Sequence, residues 1–207
     1  MQWRLLQRRG PQKSFTIVGD VAQASAAAGA TTWEAALASF GRDNWRLEEL
    51  TVNYRTPAQI ATAAETMALA HGLRITRSRA VRESEWPVDI RKTVDVASTL
   101  REILAADRAL DSNGTVVVIA SATQIDGLLH SSELGDDAAR GAAGLSRSIA
   151  FMTPNEVKGL EFDTAIIVEP GLIADEIDRG ASALYVAMTR PTQRLYIVAA
   201  GDLPVGL

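Results

Sequence analysis

Short apolar runs without a polar face constrain this chain more than any other feature. The strongest, Thr115-Val116-Val117-Val118-Ile119-Ala120, is continuous and largely β-branched. Ile149-Ala150-Phe151-Met152, Thr164-Ala165-Ile166-Ile167-Val168 and Leu195-Tyr196-Ile197-Val198-Ala199 repeat its character. A strand apolar on both sides must be covered on both sides, which is the condition of strands in a parallel sheet. Between the runs lie segments of helical character. Residues 94–110, for example, place Val94, Ala97, Leu100, Ile103 and Leu104 on one helical face. Such strands alternating with helices predict an α/β fold, a parallel sheet with helices on both faces.

The weaker segments fit the same scheme. Ser14-Phe15-Thr16-Ile17-Val18 reads as a buried strand running into a loop at Gly19-Asp20, and 46–50 and 88–90 read as shorter strands. Residues 1–9 read as a helix with Arg4 and Arg8 one turn apart. A helix opens near Trp33 with Thr31 or Thr32 as its N-cap. Another runs over 57–70, with Pro57 at its first position and Thr56 as cap, and a third covers 181–189. The stretch 131–148, rich in Gly, Ala and Ser, reads as a flexible loop. No internal repeat is apparent.

Composition excludes several classes. Hydrophobic residues make up 47% and charged residues 22%, an ordinary globular balance. No apolar run approaches the ~20 residues that span a bilayer. Met1-Gln2-Trp3-Arg4 lacks the apolar core of a signal peptide, so a cytoplasmic location without a membrane partner is expected. The absence of cysteine excludes disulfides and thiolate metal sites. The two histidines, His71 and His130, lack metal-ligand spacing, and no metal site is expected. A net charge of −4 argues against nucleic-acid binding by the whole surface while leaving room for a local basic groove. Arg74, Arg77, Arg79 and Arg82 form the one basic cluster. They read as a solvated connector balanced by Glu83 and Glu85, with contact to nucleic acid or an acidic partner as the other reading.

Four motifs carry the chemistry: Val18-Gly19-Asp20-Val21-Ala22-Gln23, Asn53-Tyr54-Arg55-Thr56-Pro57, Lys158-Gly159-Leu160-Glu161-Phe162-Asp163 and Tyr185-Val186-Ala187-Met188-Thr189-Arg190. Hydrolysis of a γ-phosphate is mostly positioning and charge stabilisation, and needs cations beside the transferring group. Arg55 and Arg190 suit that task, because the guanidinium fork stays charged and bonds phosphate oxygens bidentately. Both sit at element ends, and Gln23 sits in a loop after Asp20. Tyr54 can stack on a base, and Glu161 can accept a ribose hydroxyl. Each motif alone also has a structural reading. Asp20 and Gln23 would cap a turn, Arg55 and Arg190 would pair with Glu48, Glu49 or Asp163, and Lys158-Gly159 would end a helix. No G-x-x-x-x-G-K-[ST] loop exists in the chain to cradle the phosphates.

With these motifs in this order, the sequence resembles the UvrD/Rep-type helicases of superfamily 1. The third motif of that family is similar to Gly19 through Gln23, the fourth to Asn53 through Thr56, the fifth to Thr153 through Glu161 and the sixth to Tyr185 through Arg190. The resemblance implies a RecA-like fold and an ATP site shared between two such domains. It implies that Gln23 couples the γ-phosphate to the nucleic-acid site, with Asp20 and Lys158 beside the nucleotide. Tyr54 would stack on adenine, Glu161 would hold the ribose, and Arg55 and Arg190 would be arginine fingers. Thr153 and Asn155 would lie near nucleic acid. ATP and Mg²⁺ would be bound jointly with an N-terminal helicase domain that supplies the phosphate loop and the metal ligands. On this basis residues 1–45 are expected to be a remnant of the first RecA-like domain and 46–207 the second, a C-terminal fragment inactive by itself.

Two departures bear on the partner. Many relatives follow the third motif with aromatics and an arginine that grip single-stranded DNA, where this chain has Ala24-Ser25-Ala26-Ala27-Ala28-Gly29-Ala30. The fifth motif commonly carries a histidine where this chain has Asn155. The space between the fourth and fifth motifs also leaves little room for a large inserted subdomain. The resemblance therefore implies DNA, single-stranded or duplex, as partner. The alternative is a HelD-like ATPase that remodels or recycles RNA polymerase.

Overall fold

The computed structural model describes residues 8–10, 14–23, 30, 32–40, 45–176 and 179–207. In chain order the elements are α1 (Trp33–Leu37), β1 (Val52–Asn53), α2 (Ala58–Ala70), β2 (Arg79–Ala80), β3 (Asp89–Lys92) and α3 (Val96–Leu110). There follow β4 (Val116–Ile119), α4 (Ile125–Ser131), β5 (Ala138–Arg140), β6 (Ile149–Met152), β7 (Phe162–Val168), α5 (Pro170–Glu176), α6 (Gly180–Met188) and β8 (Pro191–Ala199). Six strands form one sheet in the order β3-β8-β7-β4-β6-β5, parallel throughout. A separate parallel pair joins β1 to β2.

Strand periodicity divides the core in two. Alternate residues point to opposite faces, so Val117, Ile119, Ala165, Ile167 and Ile197 meet Ile60 and Met67 of α2, Ile173 of α5 and Leu184 and Met188 of α6. Val116, Val118, Phe151, Ile166 and Val168 meet Leu100 and Ile103 of α3 and Ile125 of α4 on the other face. The sheet is thus covered on both sides, as the run pattern requires. Among the described residues no helix is long and apolar enough to cross a membrane.

Several expectations are corrected. Residues 14–18 form no strand, and Val18 is exposed; an apolar run becomes a strand only beside a hydrogen-bonding neighbour, and none lies beside it among the described residues. Residues 46–50 are also not a strand; pairing begins at Val52, where β2 is within reach. The helix predicted from Val94 starts at Val96, because the Asp95 carboxylate accepts the Ser98 N–H at 2.9 Å and caps it there. Val94 then lies outside the helix and is fully exposed. The stretch 131–148 is ordered: it forms β5 between two 3₁₀ turns and pairs with β6. Thr32 does cap α1, accepting the Ala35 N–H at 3.1 Å. The helix read over 1–9 lies outside the described residues except at Arg8 and Arg9, which are helical, and Thr31 and 24–29 lie outside them too.

Candidate functional site

The motif residues gather at the edge of the sheet where β7 and β8 begin. Glu161 immediately precedes β7 and Arg190 immediately precedes β8. The two strands are neighbours, with Phe162 opposite Pro191, so their first residues bring the fifth and sixth motifs together. Arg55 arrives from the loop between β1 and α2. That loop is shaped by Asn53, whose Oδ1 accepts the N–H groups of both Arg55 and Thr56 at 3.1 Å. Thr56 is therefore not the helix cap; it is buried, Pro57 occupies the cap position, and no side chain caps α2. Arg82 donates to the Arg55 carbonyl at 3.2 Å and fastens the loop from the other side.

The Arg55 guanidinium pairs with the Glu161 carboxylate at 2.7 Å, each side chain being 47% exposed. The structural partners considered for Arg55 are engaged elsewhere. Glu48 pairs with Arg46, and Glu49 accepts from Thr76. Asp163 accepts from the N–H and hydroxyl of Thr115 at 2.8 and 2.9 Å and from Gln193 at 2.9 Å. Burial pushes the Asp163 carboxyl up, but these hydrogen bonds outweigh it and hold the group below the usual carboxylate range.

Arg190 is buried and held by the end of its own helix. Its Nε donates to the Val186 carbonyl at 2.9 Å, Nη1 to Leu160 O at 3.3 Å and Nη2 to Thr189 Oγ1 at 3.1 Å. Five N–H donors are available on a guanidinium, so both terminal nitrogens keep one uncommitted. Burial lowers the Arg190 pKa, and the nearby Arg55 cation lowers it further, while Glu161, Tyr185 and Asp20 act in the opposite sense. Tyr185 is pushed up to about 12, first by burial and then by the charges of Asp20 and Glu65. The site thus concentrates two guanidinium groups with partial compensation.

Asp20 is close enough for its charge to act on both Tyr185 and Arg190. It also folds its own loop, accepting from Ala22 N at 2.9 Å and from Gln23 Nε2 at 3.0 Å. Lys158 Nζ reaches the Gln23 carbonyl at 2.7 Å and ties the third motif to the fifth. Tyr54 is 71% exposed beside Arg55, its ring open to a ligand. Lys158-Gly159 does not end a helix. Gly159 ends a run of turns and has φ of +85°, a conformation that strains residues with a Cβ.

Thr153 and Asn155 are placed apart, at the end of β6. The Thr153 N–H and hydroxyl both donate to Glu156, at 2.7 and 2.8 Å, and Asn155 is exposed. Because β6 and β7 are parallel, residues 153–161 must return from the C-terminal ends of the strands to their N-terminal ends. Met152 is level with Ile167 through Ile119, five residues along β7 from Phe162. At 3.3 Å per residue this is a descent of roughly 17 Å. Sequence reasoning gave no place in the site to Asn53, quoted only within the fourth motif, or to Arg82, read as part of a basic connector. An Asn at the head of a polar loop two residues before Arg55 is the signal that marks the first.

The six-stranded parallel sheet with helices on both faces is a RecA-like α/β fold. Residues 148–198, from the start of β6 into β8, match the family profile of the UvrD-like helicase C-terminal domain, so this segment carries that domain's signature. The fold is shared with the C-terminal domain of a possible DNA helicase from Lactobacillus plantarum, at 18% identity and a TM-score of 0.54, over 74% of this chain and 91% of that one. The Hef helicase domain of Pyrococcus furiosus aligns at 16% identity and a TM-score of 0.38, over 51% of this chain and 25% of that one. The SWI2/SNF2 ATPase core of Sulfolobus solfataricus in complex with double-stranded DNA aligns at 13% and 0.43, over 76% and 35%. No curated protein matches the chain in sequence.

Proposed function

We propose that this chain supplies one side of a shared ATP site in a DNA helicase and couples ATP hydrolysis to movement along the strand. The observation that carries the reading is the convergence of Arg55 and Arg190 with an exposed, exchangeable carboxylate partner, Glu161. Two neighbouring cations with uncommitted donors are relieved by an anion, and a polyphosphate is the anion that the motif set fits. Arg190 is positioned by its helix before any ligand arrives, while Arg55 can exchange Glu161 for phosphate oxygens. Tyr54 offers its ring to the base, Glu161 accepts a ribose hydroxyl, and Gln23 with Asp20 and Lys158 borders the phosphates. ATP supplies the transferable phosphoryl group and Mg²⁺ neutralises its charge; their cradle belongs to an N-terminal helicase domain. The chain alone, having no phosphate loop, is expected to show no magnesium-dependent ATP hydrolysis.

In a protein that joins this chain to that partner domain, Arg190→Ala should lower kcat by roughly 10³-fold, the effect of removing an arginine finger. A loss below tenfold would make Arg190 a helix-terminating residue only. Asn155, exposed where relatives commonly carry a histidine, favours a second reading, a HelD-like ATPase acting on RNA polymerase. Stimulation of the ATPase by DNA decides for the first reading, and its absence with every strand tested decides for the second.

A further inference from the structure

We propose that the outer face of the β1–β2 pair is a docking surface for an acidic segment of a partner protein that also carries apolar side chains. Parallel strands are normally covered on both faces, and the six-stranded sheet obeys this. The β1–β2 pair does not. Its inner face lies over α2, where the Glu65 carboxylate accepts the Ser78 N–H at 3.1 Å. Its outer face is open.

The register fixes which residues share that open face. Val52 is opposite Arg79, and the pairing is held by Arg79 N donating to Thr51 O at 2.8 Å and Val81 N to Asn53 O at 3.0 Å. Side chains alternate along each strand, so Leu50 and Val52 lie on the same face as Arg77, Arg79 and Val81. All five are exposed, Leu50 to 87%. The nearest carboxylates are turned the other way. Glu65 takes Ser78, and Glu49 accepts the Thr76 hydroxyl at 2.6 Å.

The charge of the face points to its occupant. Among the described residues neither Arg77 nor Arg79 has an ion pair or a side-chain hydrogen bond, and Glu83 and Glu85 do not pair with them as the sequence suggested. Two guanidinium groups roughly 7 Å apart, one strand step, call for carboxylates or phosphates. The aliphatic groups beside them choose between the two. Bases are gripped by aromatic rings, and the face holds none short of Tyr54, which belongs to the site already described. A protein segment covers Leu50, Val52 and Val81 with apolar groups of its own and shields the ion pairs from water.

The test is an amide NMR titration of the chain at constant ionic strength with three probes. They are a capped octapeptide of repeated Glu-Glu-Leu-Leu, its counterpart of repeated Glu-Glu-Ser-Ser, and a single-stranded thymidylate octamer. The leucine peptide should shift the amides of residues 50–53 and 77–81 saturably. Arg77→Gln combined with Arg79→Gln should weaken its midpoint about tenfold, and Leu50→Ser about threefold. The serine peptide, equal in charge, should bind about threefold more weakly or worse. All three side chains are exposed, so these variants keep the fold. Unmoved amides, a midpoint unchanged in the double variant, or equal binding of the serine peptide would overturn the proposal. Tighter binding of the octamer on the same amides would also overturn it, by assigning the face to nucleic acid. No ATP is present and Arg190 plays no part, so failure here leaves the reading of the nucleotide site untouched.

Discussion

Two arginine–carboxylate pairs in this molecule look alike in distance and differ in everything else. Arg55–Glu161 closes at 2.7 Å with both side chains 47% exposed. Arg194–Asp107 also closes at 2.7 Å, but its side chains are 5% and 0% exposed. The buried pair sits between α3 and the sheet, where Asp107 Oδ1 also accepts the Thr164 hydroxyl at 2.9 Å. One atom of each partner, Asp107 Oδ2 and Arg194 Nη2, has no hydrogen-bond partner among the described residues. Neither group can leave without stranding a charge in the core. The exposed pair is weak, because water and salt screen it, and it can be traded for a ligand. In these two pairs burial, and not distance, separates an arginine tied to its carboxylate from one that can trade its partner.

The largest effect should follow from breaking the buried pair. Asp107→Ala leaves the Arg194 guanidinium uncompensated and should cost about 3–5 kcal/mol in urea unfolding. A cost under about 1 kcal/mol would put the two pairs on the same footing. Glu161→Gln, measured the same way, should change stability by less than about 1 kcal/mol. A larger loss would make Arg55–Glu161 a structural element and remove the freedom ascribed to it. The smallest effect concerns Asp163, a carboxylate of intermediate burial. Its folded pKa lies below the unfolded value, so its stabilisation is complete above about pH 4 and fades as the pH falls through the lower folded value. Asp163→Asn should therefore be slightly less stable than the parent at pH 7, with the gap closing in acid. A gap that widens in acid would reverse the sign assigned here.

The sheet was legible because strands buried on both faces must be apolar throughout, as at 116–119 and 164–168. The failures have particular causes. Residues 14–18 satisfy the same composition rule without a neighbour to pair with among the described residues, and composition carries no information about neighbours. The edge strand Ala138–Arg140 has poor strand character and exists because β6 offers it hydrogen bonds. Asp107 was readable in principle. It continues the stripe of Leu100, Ile103 and Leu104 by one helical step, and a carboxylate on a core-facing stripe calls for a buried cation. The residue types of the candidate site were visible in the motifs. The pairing of Arg55 with Glu161 was not, because it depends on where the loop between β1 and α2 meets the start of β7.

The return of residues 153–161 across the sheet has a further meaning. This segment works as a slack clasp. One end is pinned by Thr153 and Glu156 and the other by the entry of Phe162 into the sheet, with Lys158 fastened to the Gln23 carbonyl between them. Fully extended, residues 153–161 would reach roughly 30 Å, more than the descent requires, and the excess is taken up in the turns of 154–159. Glu161 keeps its place beside Arg55 through Phe162 and the sheet, so the turns can absorb a change of length that the strand cannot.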